Sequence, residues 1–477
     1  MALERKYISL GMLGLILFFC CFCILYNANW LFCGSMPGDD YQFLMTTAVG
    51  KASHGATWSS RFWPLGLSDY SILLLFGEWG RSAFAHYFWN CVILISSCLL
   101  MFNFLQGYCK SVDYYSAFIS LLFIFSSAGF AQIHMECISA ERMIFFVISL
   151  FLFAVNKAEK TQKNCLWWYV IAFIFAVYAT YMKETVFIIF LIISTIKFIF
   201  DNNFERGGYF YIALLINSLI FIVIYGYRRI FKPQKEVYAT LISNINEISF
   251  SQFSHEPILV LIIALFIVRI YFFFLKDDRK YILADSALFA SVGYAFAYFL
   301  LKLYSGYYLF PSVLLSIPAF YIFMNNRMKK IVALILVITA FCLNFIDSKH
   351  IVLNDWEHRK SDHTVFEDLV RRSNNGWKIF WLSDFVAKNT EDDEYIHYDR
   401  VMCMNRFQHF LKYYSDNCPF LIELIFDTKK IDSNCVVIIN KSTLLRNSFA
   451  EEKEKFFRLS PVKIAKINDN IVYEIKL

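Results

Sequence analysis

Charge is scarce in this chain. Of its 477 residues, 18% are Asp, Glu, Lys or Arg, against about 25% in an ordinary soluble domain. Proline (8) and glycine (17) are also few, which excludes a collagen-like repeat and a disordered, linker-like chain. Thirteen cysteines are too sparse for a small disulfide scaffold, and no pair has zinc-finger spacing with a histidine partner. There is no P-loop, no Rossmann glycine pattern, no HExxH and no serine nucleophile elbow. The net charge of +6 lacks the basic excess of a nucleic-acid binder. What fills the chain is apolar: 58% hydrophobic residues and 19% aromatics, with 53 Phe and 29 Tyr.

The scarcity of charge is uneven. Residues 1–345 hold 25 Lys+Arg and 18 Asp+Glu, a net of 25 − 18 = +7, with about 12% of positions charged. Residues 346–477 hold 20 and 21, a net of 20 − 21 = −1, with about 31% charged. The first part reads as a lipid-embedded body and the second as a soluble C-terminal domain.

A membrane-crossing helix needs about 20 mostly apolar residues. Eleven stretches come close: 8–26, 84–105, 114–133, 140–155, 166–181, 185–200, 209–225, 257–275, 282–301, 306–323 and 329–345. The first has the short basic start of a signal peptide, Arg5 and Lys6, but its long apolar run and lack of a small-x-small site make it a retained anchor. Lys and Arg set the orientation. With the N-terminus inside, the inner loops carry Lys110, Lys157, Lys160, Lys163, Arg206, Lys276, Arg279, Lys280, Arg327, Lys329 and Lys330. The short outer loops carry little beyond Arg142, Lys183 and Lys302. Eleven crossings then place the C-terminal domain outside, together with two long outer segments, 27–83 and 226–256. The expected fold is an all-α polytopic bundle with a small α/β periplasmic domain, whose strands fall at Trp377–Leu382, Cys435–Asn440 and Ile471–Leu477. In an oxidising periplasm a Cys403–Cys418 bridge is open, with Cys435 left over.

Just past the first stretch comes Gly34-Ser35-Met36-Pro37-Gly38-Asp39-Asp40-Tyr41, a Pro-Gly turn that sets two adjacent carboxylates at the membrane surface. They read either as a helix N-cap or as an acid/base pair. An interfacial helix and a second turn, Ser60-Arg61-Phe62-Trp63-Pro64-Leu65, follow. Other ionisable groups gather at the same outer level: Glu136, Glu141 and Arg142 at the mouth of the fourth stretch, Lys183-Glu184 in the next outer turn, and Lys302 with Tyr304, Tyr307, Tyr308 and Pro311. Snorkelling explains any one of them. Together they read as an outward-facing polar cavity. Arg228, Arg229, Lys232 and Lys235 form a basic cluster on the second outer loop, suited to anionic headgroups or to a phosphate ligand.

The acidic pair, the interfacial helix, the Arg-Phe-x-Pro-Leu turn, about eleven spans and the outer C-terminal domain together resemble membrane glycosyltransferases of the GT-C type. The Lys183-Glu184 turn and the run Tyr307-Tyr308-Leu309-Phe310-Pro311 are similar to outer-loop features of bacterial members. The phage-type O-antigen serotype-converting glucosyltransferases are the nearest group suggested. Many relatives have Asp-Glu where this chain has Asp39-Asp40. The resemblance implies an inner-membrane enzyme that moves a hexose such as glucose from polyprenyl phosphate to a glycan acceptor, such as lipid-linked O-antigen of lipopolysaccharide, on the periplasmic side. Asp39 or Asp40 would take the acceptor proton. Arg61, Arg142, Lys183 and Lys302, with Arg228 and Arg229 behind them, would face the leaving phosphate, and Glu141, Glu184, Tyr307 and Tyr308 would line the cavity. No cofactor is implied; adjacent carboxylates hold a divalent metal in some relatives, but too few further ligands stand here to favour one. Two other classes stay open: a transporter or flippase, against which the lack of internal symmetry counts, and an O-antigen polymerase or ligase, against which the long tail counts.

Overall fold

A computed structural model describes Gly14, Leu17 and residues 62–80, 83–109, 113–135, 140–161, 165–201, 204–231, 256–301, 306–383, 422–431, 434–467 and 470–476. Asp39, Asp40, Arg61, Lys302, the Arg229 side chain, the Cys403–Cys418 pair and nearly all of the stretch 8–26 lie outside the described residues. The described residues fall into two compact units, one running to Val352 and one from Leu353 onward.

The first unit is helical. Its elements are α1 (Ala83–Tyr108), α2 (Tyr114–Phe125), α3 (Ala128–Met135), α4 (Ala140–Lys160), α5 (Cys165–Met182), α6 (Phe187–Phe200), α7 (Phe204–Phe231), α8 (Ile258–Ile270), α9 (Ile282–Leu300) and α10 (Gly306–Phe323). Among the described residues six segments can cross a membrane by length and composition: Phe88–Tyr108, Cys165–Met182, Gly207–Arg228, Ile258–Leu275, Ile282–Leu300 and Gly306–Phe323. The chain is a multi-pass membrane protein on that basis. Two further apolar helices, α2 and α6, are shorter, while α4 carries charge at both ends. The six correspond to the expected stretches 84–105, 166–181, 209–225, 257–275, 282–301 and 306–323, while the stretch 8–26 lies outside the described residues.

One expected span is broken. The stretch 114–133 forms two helices, because α2 stops at Ser126. Ser126 Oγ donates to the Phe123 carbonyl at 2.8 Å, bonding the backbone locally in place of the next helical turn. Gly129 then lies where any Cβ would sit 2.4 Å from the Gly306 carbonyl oxygen. Only glycine lets α3 approach the start of α10 so closely.

Burial and apolarity run in opposite directions at the extremes of the six spans. Ile258–Leu275 is the most apolar of the six and is 22% buried, whereas Gly306–Phe323, one of the two least apolar, is 83% buried despite Pro311 and Pro318 inside it. A segment facing lipid must be apolar throughout, while one packed among helices need only fit its neighbours.

A long helix, α11 (Arg327–Asn374), runs into the second unit. That unit is a five-stranded sheet in the order β2-β1-β3-β5-β4, with β1 (Lys378–Leu382), β2 (Ile422–Ile425), β3 (Cys435–Asn440), β4 (Val462–Ile467) and β5 (Asn470–Ile475). β1 runs parallel to β2 and β3, and β5 antiparallel to β3 and β4. Leu369 from the end of α11 joins Ile379, Trp381, Val436, Ile438 and Val472 on one face. On the other, Phe449 and Phe456, the latter on α12 (Ala450–Arg458), join Phe380, Leu382, Val437 and Ile439. Every residue of β3 is buried, as a central strand covered on both faces requires. The three strand-like runs of the sequence correspond to β1, β3 and β5.

Candidate functional site

The site begins with a tight entry. Leu65 N–H donates to the Tyr181 carbonyl at 3.1 Å, tying the Phe62–Leu65 turn to the end of α5. Leu67 has φ +62°, a left-handed conformation unusual for a bulky residue. The chain then enters a 3-10 helix, Ser68–Phe76, that buries Asp69, Tyr70 and Leu73.

Asp69 meets Arg142 from the first turn of α4. Nη1 of the arginine donates to Oδ2 at 2.7 Å and Nη2 to Oδ1 at 3.3 Å. The Trp89 indole adds a third donor at 2.8 Å. The guanidinium lies 3.9 Å from the centroid of the Tyr70 ring, and Tyr70 donates to Asn90 Oδ1 at 2.8 Å. Arg142 and Asp69 are both buried. The fork that sequence reasoning assigned to phosphate is closed on Asp69, and its planar bidentate geometry suits that carboxylate.

The neighbouring Glu141, on the same first turn, forms an ion pair with Lys183, whose side chain is 16% exposed. Lys183 opens the four-residue turn, 183–186, between α5 and α6. Its Nζ faces the rings of Tyr308 at 4.5 Å, Tyr307 at 5.6 Å and Tyr298 at 5.8 Å. Tyr298 and Tyr308 stack with centroids 5.0 Å apart, and the Tyr298 hydroxyl lies 2.8 Å from Thr185 Oγ1. Glu184 turns the other way and accepts from Phe62 N–H at 3.0 Å. The Phe62 ring lies 4.6 Å below the Arg228 guanidinium. One dipeptide therefore ties together α4, the Phe62 turn and the α9–α10 junction.

The structure thus brings Glu141, Lys183, Glu184, Tyr307 and Tyr308 to one place, with Arg142 beneath and Arg228 above the Phe62 turn. A lysine is a compact point charge on a flexible stem, and tyrosine rings offer both a flat apolar face and a hydroxyl. Such a site can hold an anionic group at the amine and a ring-shaped polar ligand against the aromatic wall.

Sequence reasoning missed Asp69, Trp89, Tyr298 and Glu256. Asp69 carried a signal, being the one carboxylate in the apolar run from Phe62 to Gly77. Glu256 precedes α8 and is fully buried. It accepts from Ser127 Oγ at 2.6 Å and Gly129 N–H at 3.4 Å, while Asn344 Nδ2 lies 3.5 Å from its other oxygen. Burial pushes its carboxyl up to about 7, against the lowering effect of these hydrogen bonds.

No protein-family profile matches this chain, and no curated protein does. Solved structures do match. ArnT from Cupriavidus metallidurans, crystallised bound to undecaprenyl phosphate, is 9% identical with a TM-score of 0.50, over 97% of this chain and 98% of that one. The apo state of the same protein gives a TM-score of 0.48 at 10% identity over the same shares. The Archaeoglobus fulgidus oligosaccharyltransferase, tethered to an acceptor peptide containing the NVT sequon, gives 0.48 at 12% identity over 92% of this chain and 70% of its own. The likeness to ArnT, running nearly end to end, shows that this chain shares that protein's fold.

Proposed function

We propose that this protein is a membrane glycosyltransferase. It moves a sugar, a hexose such as glucose, from polyprenyl phosphate to a glycan acceptor such as lipid-linked O-antigen, on the periplasmic face of the bacterial inner membrane. The observation that carries this reading is the fold shared end to end with a protein crystallised on undecaprenyl phosphate. The Lys183 site supports it, because it offers a cation beside an aromatic wall.

In this reading the acceptor hydroxyl attacks the anomeric carbon and the lipid phosphate leaves. Asp39 or Asp40 takes the hydroxyl proton as general base. Negative charge grows on the departing phosphate, and preplaced cations lower the barrier most where that charge develops. Lys183 takes this role with Arg61, Lys302, Arg228 and Arg229. Glu141 steers the Lys183 amine, while Tyr307 and Tyr308 shape the space around it. Arg142 acts through Asp69 as a positioning residue, fixing the first turn of α4 and so the place of Glu141. Direct displacement inverts the anomeric centre.

The test is transfer of a labelled sugar from polyprenyl phosphate to acceptor glycan by membranes containing the protein. Asp39→Asn or Asp40→Asn should reduce transfer by about 10²–10⁴-fold with the protein still accumulating. Asparagine caps a helix about as well as aspartate, so a pair that only caps would leave both variants active. Wild-type transfer by the double variant removes the carboxylates from the mechanism. If no labelled polyprenyl-phosphate sugar is consumed, the proposed activity is wrong.

A further inference from the structure

Glu256 is fully buried, and no cation pairs with it among the described residues. Burying a carboxyl group is costly unless its oxygens are satisfied. Here the donors come from three places in the chain. Ser127 Oγ donates to Oε2 at 2.6 Å, and Gly129 N–H to the same oxygen at 3.4 Å. The backbone N–H groups of Ala128 and Ile258 also donate to the carboxyl. Asn344 of α11, whose amide donates to the Ser126 carbonyl, has its Nδ2 3.5 Å from Oε1. One side chain therefore caps the first turns of both α3 and α8, where the free N–H groups favour an acid.

Capping alone does not call for a buried acid. Asparagine or serine caps a helix about as well, with no charge to bury. What the burial adds is a fixed place for α3, and α3 leads to the Lys183 site by two contacts. The first is Gly129, which leaves no slack against the start of α10. A Cβ there would lie 2.4 Å from the Gly306 carbonyl oxygen and 2.9 Å from the Tyr307 Cα. The second is Phe130, whose ring centroid lies 6.2 Å from that of Phe310 on α10. Phe310 in turn lies 5.7 Å from Phe145 of α4, one helical turn past Glu141. Glu141, Tyr307 and Tyr308 are partners of the Lys183 amine. All three are thus carried by helices that meet the part of α10 supported by α3. A close-packed interior transmits a displacement rather than absorbing it.

We infer that Glu256 is a positioning residue for the Lys183 site: by holding the first turn of α3 it fixes the start of α10, and with it the Tyr307 and Tyr308 wall around the amine. It touches no substrate. Its role in turnover rests on the reading of Lys183 as the cation beside the leaving phosphate. Its role in placing the wall does not.

The test uses the full-length protein purified in detergent, with two readouts. One is kcat and KM for transfer of the labelled sugar. The other is the fluorine resonance of meta-fluorotyrosine incorporated at Tyr308, which reports the surroundings of that ring without any substrate. Glu256→Leu removes every acceptor at the hub. Ser127→Ala removes one donor and leaves the rest, so it carries the test if Glu256→Leu fails to accumulate. Both should shift the resonance and lower kcat, Glu256→Leu by at least about tenfold, since a small misplacement far from the reacting atoms is costly. Glu256→Gln keeps an acceptor for Ser127 and Gly129 and should recover most of the loss. The double variant of Glu256→Leu with Ser127→Ala should be no slower than Glu256→Leu alone, as expected of two groups in one network. Leu214→Ala, at a buried position of α7, is the control for mere destabilisation. It should lower the thermal transition and leave both the resonance and kcat in place. An unshifted resonance in Glu256→Leu and Ser127→Ala overturns the inference, and so does a shift and loss of kcat matched by Leu214→Ala. If the wild type consumes no polyprenyl-phosphate sugar, the proposed activity fails separately, and the resonance alone decides whether Glu256 places the wall.

Discussion

The helical body and the C-terminal unit handle charge in opposite ways. In the body, ions are buried and multiply held: Arg142 on Asp69, Lys197 between Glu159 and Asp201, and Arg269 on Asp285 at 2.7 Å. In the C-terminal unit the sheet core is apolar on both faces, and pairs such as Arg458 with Glu454 are exposed on both sides, 73% and 68%. A buried ion must be solvated by its own protein, and removing one partner strands the other. A surface ion is solvated by water either way. The difference teaches where charge is placed at a cost, and therefore where a role for it should be sought.

The sharpest break of this contrast is at Asp69. Asp69→Ala leaves the Arg142 guanidinium buried without its carboxylate and should cost about 3–5 kcal/mol, read as a large drop in the thermal transition of the purified protein. Replacing both partners with apolar residues should recover much of that loss, since no stranded charge remains.

Glu256 gives the next effect and a sign that can be checked. Its folded-state carboxyl titrates near 7, above the ordinary value of 4.5. Between those values the folded protein holds a proton that the unfolded chain releases. Stability should therefore fall as pH rises from about 4.5 to about 7, by at most about 1.4 kcal/mol per pH unit, and level off beyond. Glu256→Gln should flatten that slope in thermal unfolding measured across pH. An unchanged slope would remove Glu256 as its source.

At Lys183 the effect should fall on rate and spare stability. Lys183→Ala should reduce sugar transfer at least about tenfold, or about 1.4 kcal/mol of barrier, and Lys183→Arg should restore only part of it. Equal activity at equal protein level would take the residue out of the site. The smallest effect belongs to the C-terminal unit. Arg458→Ala should lose about 0.3–0.5 kcal/mol, as expected of an exposed i,i+4 pair, and leave transfer untouched. A larger loss would erase the contrast between the two regions.

What the sequence made legible follows from how local each signal is. Strands β1, β3 and β5 announced themselves as apolar runs, because a sheet covered on both faces needs continuous hydrophobicity. β2 is four residues long, too short to stand out. The helices of the body were readable from their apolar length, but the break at Ser126–Ser127 was not. It depends on Gly129 meeting the backbone of Gly306, a contact far away in sequence. At the site, Glu141, Lys183 and Glu184 stood out as charges in an apolar setting. Asp69 passed unnoticed because its meaning lies in its partners, Trp89 and Arg142, which only the fold brings to it.

The contrast in apolarity and burial between two of the spans bears on how the protein is made. A segment such as Ile258–Leu275 is apolar enough to partition from the translocon into lipid unaided. Gly306–Phe323, with its two prolines and many buried neighbours, gains less from lipid and more from company. Its stable insertion should wait on helices synthesised before it, with α9 as its immediate predecessor in the chain. Tyr307 and Tyr308 open that late-settling segment, so the aromatic wall around Lys183 would be completed only when biogenesis of the bundle is nearly done. A protein assembled in this order has no complete Lys183 site until it is whole.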